Sequence, residues 1–228
     1  MAKTASKKTS TRRRGPSTRV MNRVLDRLAT RYEIDRFLRK NGPDPFRILI
    51  GCVISLRTKD DVSYAATERL FRRADTPRKM LRLRAATIAK LIYPAGFYNR
   101  KAEQIRSICR RLVARDGRRV PDSIDELLEL PGVGRKTANL VVTLGYAKPG
   151  ICVDTHVHRI SNRLGWVRTQ HPDETEMTLR AVLPARQWIP INEVLVRHGQ
   201  EVCKPLSPIC SACPVARDCP QRGVGRRR

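Results

Sequence analysis

The chain has 228 residues and 40% apolar content, enough for one domain or two small ones with a buried core. Its 47 Lys and Arg against 21 Asp and Glu give a net charge of +26. The acid-free ends, residues 1–23 and 220–228, carry twelve of those positive charges, which leaves 14 on the rest. A basic body points to a polyanion such as nucleic acid rather than to a small acidic substrate, and no apolar run approaches the length of a membrane span.

Residues 1–18 read as a disordered basic tail that adds salt-sensitive attraction to DNA. They lack the apolar stretch of a secretory signal and the lipid-facing side of an amphipathic helix. An organellar transit peptide is the other reading of an Arg- and Ser-rich start. The protein is expected in the cytoplasm or nucleoid, as a monomer.

Almost every later segment predicts helix. Asp44 and Pro45 supply an N-cap and a first-position proline before Phe46–Ile54, a run too long for a core strand and better suited to a buried helix. Asp60 is placed to cap the next helix, with Ala65, Ala66, Leu70 and Phe71 on one side. Further helices are expected at about 77–91, 98–115, 122–130, 135–146, 155–164, 173–183 and 190–199, separated by Pro and Gly signals such as Pro94, Gly96, Pro121, Gly165 and Pro184. Strand alternation is absent, so the expected class is all-α. A composition shift at Ala147–Gly150 suggests two helical lobes with a DNA-binding cleft between them: 38–148 as one, 19–37 plus 149–221 as the other, and 222–228 as a basic C-terminal tail.

The segment Leu130-Pro131-Gly132-Val133-Gly134-Arg135-Lys136-Thr137-Ala138 joins two of these helices. Two glycines permit positive φ and remove side chains, so backbone N–H groups can converge on an anion at the positive end of the second helix. A helix-hairpin-helix of this kind grips a phosphate backbone without reading sequence; the alternative is an ordinary tight turn. Lys136 falls in the first turn of the second helix, where the dipole and Arg135 disfavour an ammonium, so its pKa is expected to fall and its amine to become more nucleophilic.

Val153-Asp154-Thr155-His156-Val157-His158-Arg159-Ile160 opens another helix, with Val157, Ile160 and Leu164 on one face and Gly165 as its stop. Asp154 is then an N-cap, and the same position favours the ionised carboxylate that a positively charged sugar-like transition state requires. The two roles are compatible. His156 and His158, two apart on a helix, point to different faces, which favours surface or DNA-facing roles over a shared metal.

Cys203, Cys210, Cys213 and Cys219 give C-x6-C-x2-C-x5-C within 17 residues. Without an export signal such spacing implies a shared metal site rather than disulfides. One close pair flanked by two wider-spaced cysteines suits a [4Fe–4S] cluster, with zinc as the alternative. Lys204 and Arg217 are candidates to offset its negative charge, while Cys52, Cys109 and Cys152 sit singly in apolar settings and read as core residues.

Taken in this order, the hairpin, Lys136, the Asp154 segment and the four cysteines resemble the endonuclease III family of helix-hairpin-helix DNA glycosylases, over about residues 20–220. The resemblance implies an enzyme that excises oxidised pyrimidines from duplex DNA and nicks the strand by β-elimination. Lys136 would be the nucleophile, Asp154 its carboxylate partner, and the four cysteines the ligands of a [4Fe–4S] cluster. Leu130, Gly132, Val133, Gly134, Arg135, Thr137 and His156 would contact DNA. Two positions depart from the bacterial pattern. Arg57 stands where a glutamine fills the gap left by the flipped base, and Phe97 stands where a leucine wedges the duplex.

Overall fold

The structure is a computed structural model describing residues 16–32, 42–115 and 119–228, and among these there is no strand. Most of the expected basic tail lies outside the described residues; of its last three, Thr18 already opens the first helix.

Eleven α-helices are described: α1 (Thr18–Arg31), α2 (Pro45–Ser55), α3 (Asp60–Arg73), α4 (Pro77–Leu81), α5 (Ala85–Ile92), α6 (Tyr98–Ala114), α7 (Ile124–Leu128), α8 (Arg135–Leu140), α9 (Thr155–Arg163), α10 (Pro172–Val182) and α11 (Pro190–Glu201). Asp44 caps α2 by accepting from Phe46 N at 3.0 Å, and Phe46 and Ile48 to Ile54 are all buried. The helix expected at 77–91 is two. Thr76 caps α4, and Arg106 of α6 donates to the carbonyls of Leu81 and Leu83, holding the break open. Lys59, not Asp60, is the N-cap of α3; Asp60 and Asp61 lie in its first turn, where the dipole favours them. The helix expected to run to residue 146 is α-helical to Leu140 and then widens into a π-turn over Val141–Gly145. Gly145 is needed there, because a Cβ would lie 3.0 Å from Cα of Pro45.

Two separate apolar cores form. The first is built from α2 to α8 around Ile48, Leu49, Leu70, Ile88, Ile105 and Ile108. The second joins α1 to α9, α10 and α11 around Leu25, Leu28, Val157, Ile160, Leu179 and Leu195, with Cys203, Cys213 and Cys219 packed against it. The chain leaves the first core at Val142 and enters the second at Ile151. The link is tight: a Cβ on Gly150 would lie 2.8 Å from the Thr143 methyl and 3.0 Å from Oδ1 of Asn139.

A buried carboxylate bridges the two cores. Glu176 of α10 is 2% exposed and accepts from Arg135 Nε and Nη2 at 3.1 and 3.0 Å, from Asn139 Nδ2 at 3.1 Å and from Arg180 Nε at 3.1 Å. Arg135 and Asn139 belong to α8, so this cluster fastens the hairpin's second helix to the opposite lobe. The C-terminal residues do not hang free. Arg222 N donates to Arg163 O at 3.1 Å, Arg228 N to Pro208 O at 2.9 Å, and Ser211 N to Arg228 O at 3.0 Å, folding the tail over the cysteine loop.

Glu176→Ala is expected to lower stability by about 3 kcal/mol, because it strands two guanidinium groups and an amide whose partner is gone. Urea unfolding of the parent and the variant checks this; an unchanged midpoint would refute the bridge.

Candidate active site

Between the lobes lies a cleft of about 730 Å³ whose walls include Cys52, Ser55 and Asp60 from the first core, Gly134 and Lys136 from the hairpin, and Cys152, Asp154, His156 and Gln200 from the second. The hairpin is shaped by its glycines in different ways. Gly132 has φ +69°, and Gln104 presses on it from α6, donating from Nε2 to Pro131 O at 3.1 Å and Gly132 O at 3.2 Å; a Cβ there would come within 2.5 Å of that nitrogen. Gly134 does not use the positive φ open to a glycine. Its φ is −101°, and a Cβ on it would meet no protein atom within 4 Å. The space it leaves is open to a ligand.

Leu130, Val133 and Thr137 turn buried side chains into the protein, so only their backbone is left to meet DNA. Even there Val133 N is engaged, donating to Leu130 O at 3.1 Å. The first amide of α8 with an acceptor is that of Ala138, which bonds Gly134 O; the amides of Gly132, Gly134, Arg135, Lys136 and Thr137 find none among the described residues. Both arms of the Arg135 guanidinium are taken up by Glu176, which raises its pKa, so Arg135 serves the interlobe bridge.

Lys136 projects into the cleft from the first turn of α8. Its surroundings overturn the expected depression of its pKa. Burial pulls the ammonium down, while the sulfurs of Cys152 and Cys52 where ionised and the carboxylates of Asp154 and Asp60 pull it up, and the pKa is raised. Asp154 caps α9: Oδ1 accepts from His156 N and Val157 N, both at 2.8 Å, while Oδ2 makes no hydrogen bond among the described residues. One oxygen therefore fixes the carboxylate and the other remains for the cleft. Cys152 and Cys52 are buried as expected, yet both also line this cleft, and Cys152 Sγ lies 3.6 Å from Lys136 O. Burial pushes the Cys52 thiol up to about 12 and that of Cys152 well above its ordinary value, so neither is a nucleophile at neutral pH.

His156 lines the cleft and is half-buried, with Nδ1 3.2 Å from Arg159 Nη2; burial lowers its pKa. His158 faces the other way, Nδ1 lying 2.7 Å from Thr175 Oγ1. Arg57 and Phe97 lie outside the cleft lining on adjacent loops, both exposed, with the Arg57 guanidinium 5.7 Å from the Phe97 ring centre.

The four cysteines line a second, small cavity with Ile160, Leu164, His198 and Val215, and none is in a disulfide. The basic side chain that reaches a sulfur is Arg163, rather than Lys204 or Arg217. Its Nη1 is 3.3 Å from Cys203 Sγ, and it also donates to Lys204 O at 2.7 Å and Pro205 O at 2.6 Å. Gln221 N donates to Cys219 Sγ at 3.4 Å, and His198 Nε2 lies 3.6 Å from Cys213 Sγ. Among the described residues no three His, Cys, Asp or Glu side chains gather closely enough for a single metal ion.

Comparison with known proteins decides the family. The family described as HhH-GPD superfamily base excision DNA repair protein matches residues 50–185, and the chain is 46% identical over 209 residues to Endonuclease III of Thermotoga maritima, covering 90% of this chain and 98% of that one. The chain belongs to the endonuclease III family. Among solved structures, a trapped endonuclease III–DNA covalent intermediate superimposes with a TM-score of 0.79 at 33% identity, covering 90% of this chain and 97% of the other. A thermostable thymine-DNA glycosylase follows at 0.78 and 26%, covering 89% and 96%. The family's all-α fold is thus the fold of this chain, and no helix among its described residues is long and apolar enough to cross a membrane.

The sequence reading missed Gln104, Glu176 and Arg163. Glu176 had one local signal, since it shares a helix face with Leu179 and Leu183 and has Arg180 four residues on. The two glycines should respond differently to substitution. Gly132→Ala is expected to destabilise by about 2 kcal/mol through its positive φ and the Gln104 contact. Gly134→Ala should leave the melting temperature unchanged while weakening binding to duplex DNA about tenfold, one decade corresponding to about 1.4 kcal/mol. Thermal unfolding and fluorescence anisotropy check the pair; equal DNA affinity for parent and Gly134→Ala would refute the open space as a ligand site.

Proposed function

We propose that this family member is a bifunctional DNA glycosylase and AP lyase of base excision repair, acting on oxidised pyrimidines and abasic sites in duplex DNA. The observation that carries this reading is the convergence of Lys136 from one lobe and Asp154 from the other on one cleft beside the unengaged hairpin amides. The two lobes divide as 38–148 and 19–37 plus 149–221, and the cleft between them receives the damaged strand. Location with the nucleoid follows from the substrate.

A base within the stack is out of reach, so the nucleotide is flipped into the cleft. The free amides at Gly132, Gly134 and the start of α8 hold a flanking phosphate. Arg57 and Phe97, exposed side by side, enter the duplex where the base has left. As the C1′–N bond breaks, positive charge develops on the sugar, and the unbonded Oδ2 of Asp154 faces it. Lys136 attacks C1′; the proton it sheds passes to the departing base. The C1′–O4′ bond then breaks, O4′ taking the second proton of the lysine nitrogen, which leaves an open-chain iminium at C1′; the iminium acidifies the C2′ proton, which passes to water, and the 3′ phosphate leaves with the C3′–O electron pair. Water then hydrolyses the Schiff base and frees the lysine.

Cys203, Cys210, Cys213 and Cys219 would hold a [4Fe–4S] cluster, which ties the C-terminal loop to the second lobe and takes no part in the chemistry. The donor set supports that fit. Arg163, Gln221 and His198 turn polar hydrogens or ring nitrogens toward the sulfurs. Zinc, with Zn–S distances of about 2.3 Å, would gather four sulfurs closely around one ion. A cluster takes one sulfur per iron, which suits one close pair, Cys210 and Cys213, flanked by the wider-spaced Cys203 and Cys219.

Borohydride added during reaction with a duplex containing thymine glycol or an abasic site is expected to trap a covalent adduct, absent in Lys136→Ala. No adduct and no nick from cluster-loaded protein would overturn the bifunctional reading in favour of a monofunctional glycosylase. Asp154→Asn should cut base excision at least a hundredfold with folding intact. Because the Lys136 pKa is raised, the resting side chain is an ammonium, and trapping on a preformed abasic site should quicken steadily from pH 6 to 9; a plateau near pH 7 would mark a lysine of depressed pKa.

For the metal site, about four iron and four sulfide per chain with broad visible absorption is expected. Stoichiometric zinc in anaerobically purified protein would refute the cluster.

A further inference from the structure

Lys101 lies in the first turn of α6, is 5% exposed and is not itself among the residues that line the cleft, though its partner Leu56 is. Its Nζ donates three hydrogen bonds, the full number an ammonium has: to Ile54 O at 2.7 Å, Leu56 O at 2.6 Å and Thr58 Oγ1 at 2.9 Å. Two of these acceptors are carbonyls at the C-terminal end of α2, where the helix leaves oxygens without partners and favours a cation. The third is itself a relay. Thr58 Oγ1 also accepts from Gly96 N at 3.0 Å and donates to Leu56 O at 3.2 Å, so the hydroxyl is fully used.

These bonds join the loop that carries Arg57 to the loop that carries Phe97. Both residues hold left-handed backbone, φ +51° and +56°, a conformation that costs a side-chain-bearing residue about 1 kcal/mol or more and persists only where neighbours enforce it. The loops press together at Gly96, where a Cβ would lie 2.5 Å from Arg57 O. On the outer side of this joint the Arg57 guanidinium lies over the Phe97 ring, which is 61% exposed. Burial pulls the Lys101 pKa down to about 8, so the fold pays to keep an ammonium here when an apolar side chain would serve packing alone.

We infer that Lys101 is a positioning residue for duplex opening: its ammonium locks the two loops into one frame, so that Arg57 and Phe97 meet DNA as a preassembled stacked unit rather than as two independent side chains. The inference rests on the reading that those two residues enter the duplex. It deepens that reading by naming what fixes their geometry.

The test uses full-length, cluster-loaded protein and a duplex holding a tetrahydrofuran abasic analogue opposite 2-aminopurine, whose fluorescence rises as the base unstacks. Stopped-flow mixing reads the opening rate. Lys101→Met is expected to slow opening at least tenfold, and to add nothing when introduced into the Arg57→Ala, Phe97→Ala double variant. Borohydride trapping on single-stranded abasic DNA, which needs no opening, should stay within twofold of the parent. A parental opening rate in folded Lys101→Met, or equal slowing in both backgrounds, would overturn the inference. Should Lys101→Met fail to fold, Thr58→Val decides by the same criteria, because it cuts the tie to Gly96 and one of the three Lys101 bonds while leaving those to Ile54 O and Leu56 O. A parent protein that traps no adduct would defeat the catalytic reading instead, a separate result.

Discussion

The arrangement of this protein depends on a buried carboxylate with four donors on it. Lys136 and Asp154 come from lobes whose apolar cores are separate among the described residues, so the angle between them calls for a constraint outside either core. Glu176 supplies that constraint. It reaches from α10 to Arg135 and Asn139 on α8, next in sequence to the lysine, and its own turn adds Arg180. Each donor bond is 3.0 to 3.1 Å long and directional, so those from Arg135 and Asn139 fix the orientation of α10 against α8 as well as their proximity. Gly150, pressed against Thr143 and Asn139, closes the same joint from the connecting segment.

How much of this was legible depended on how local each determinant is. Asp44 and Asp154 cap helices that begin at the next residue, and both capping bonds are visible in a four-residue window. The four cysteines fall within one loop. Glu176, Lys101 and Arg163 act across 41, up to 47 and 40 to 42 residues, and in sequence each is one charged residue among many on a helix. Helical periodicity identifies a face, but not which charged residue on it finds partners on another element. The break between α4 and α5 escaped the same way, since it is held by Arg106 from α6 rather than by a local breaker.

The hairpin shows where a motif misleads within its own span. Both glycines permit positive φ, and of the two only Gly132 adopts it. Gly132 serves the protein, giving room to Gln104, whereas Gly134 faces space that no protein atom uses. The residues between and beside them, Leu130, Val133 and Thr137, build the turn from inside. What the hairpin presents outward is backbone, which suits a ligand recognised by charge and not by sequence.

The raised pKa of Lys136 changes how the site must work. A lysine of depressed pKa would wait in an open cleft as a free amine, able to react with any carbonyl that entered. An ammonium is inert until something takes its proton. Cys52 and Cys152 cannot, since burial keeps both as neutral thiols, and duplex phosphates favour the ammonium further. Within the mechanism proposed, the acceptor is the base itself, which leaves the sugar as an anion in need of a proton. At a base-bearing nucleotide, loss of the base and activation of the nucleophile are then one event; at a preformed abasic site no base departs, and solvent takes the proton, which is why trapping there depends on pH.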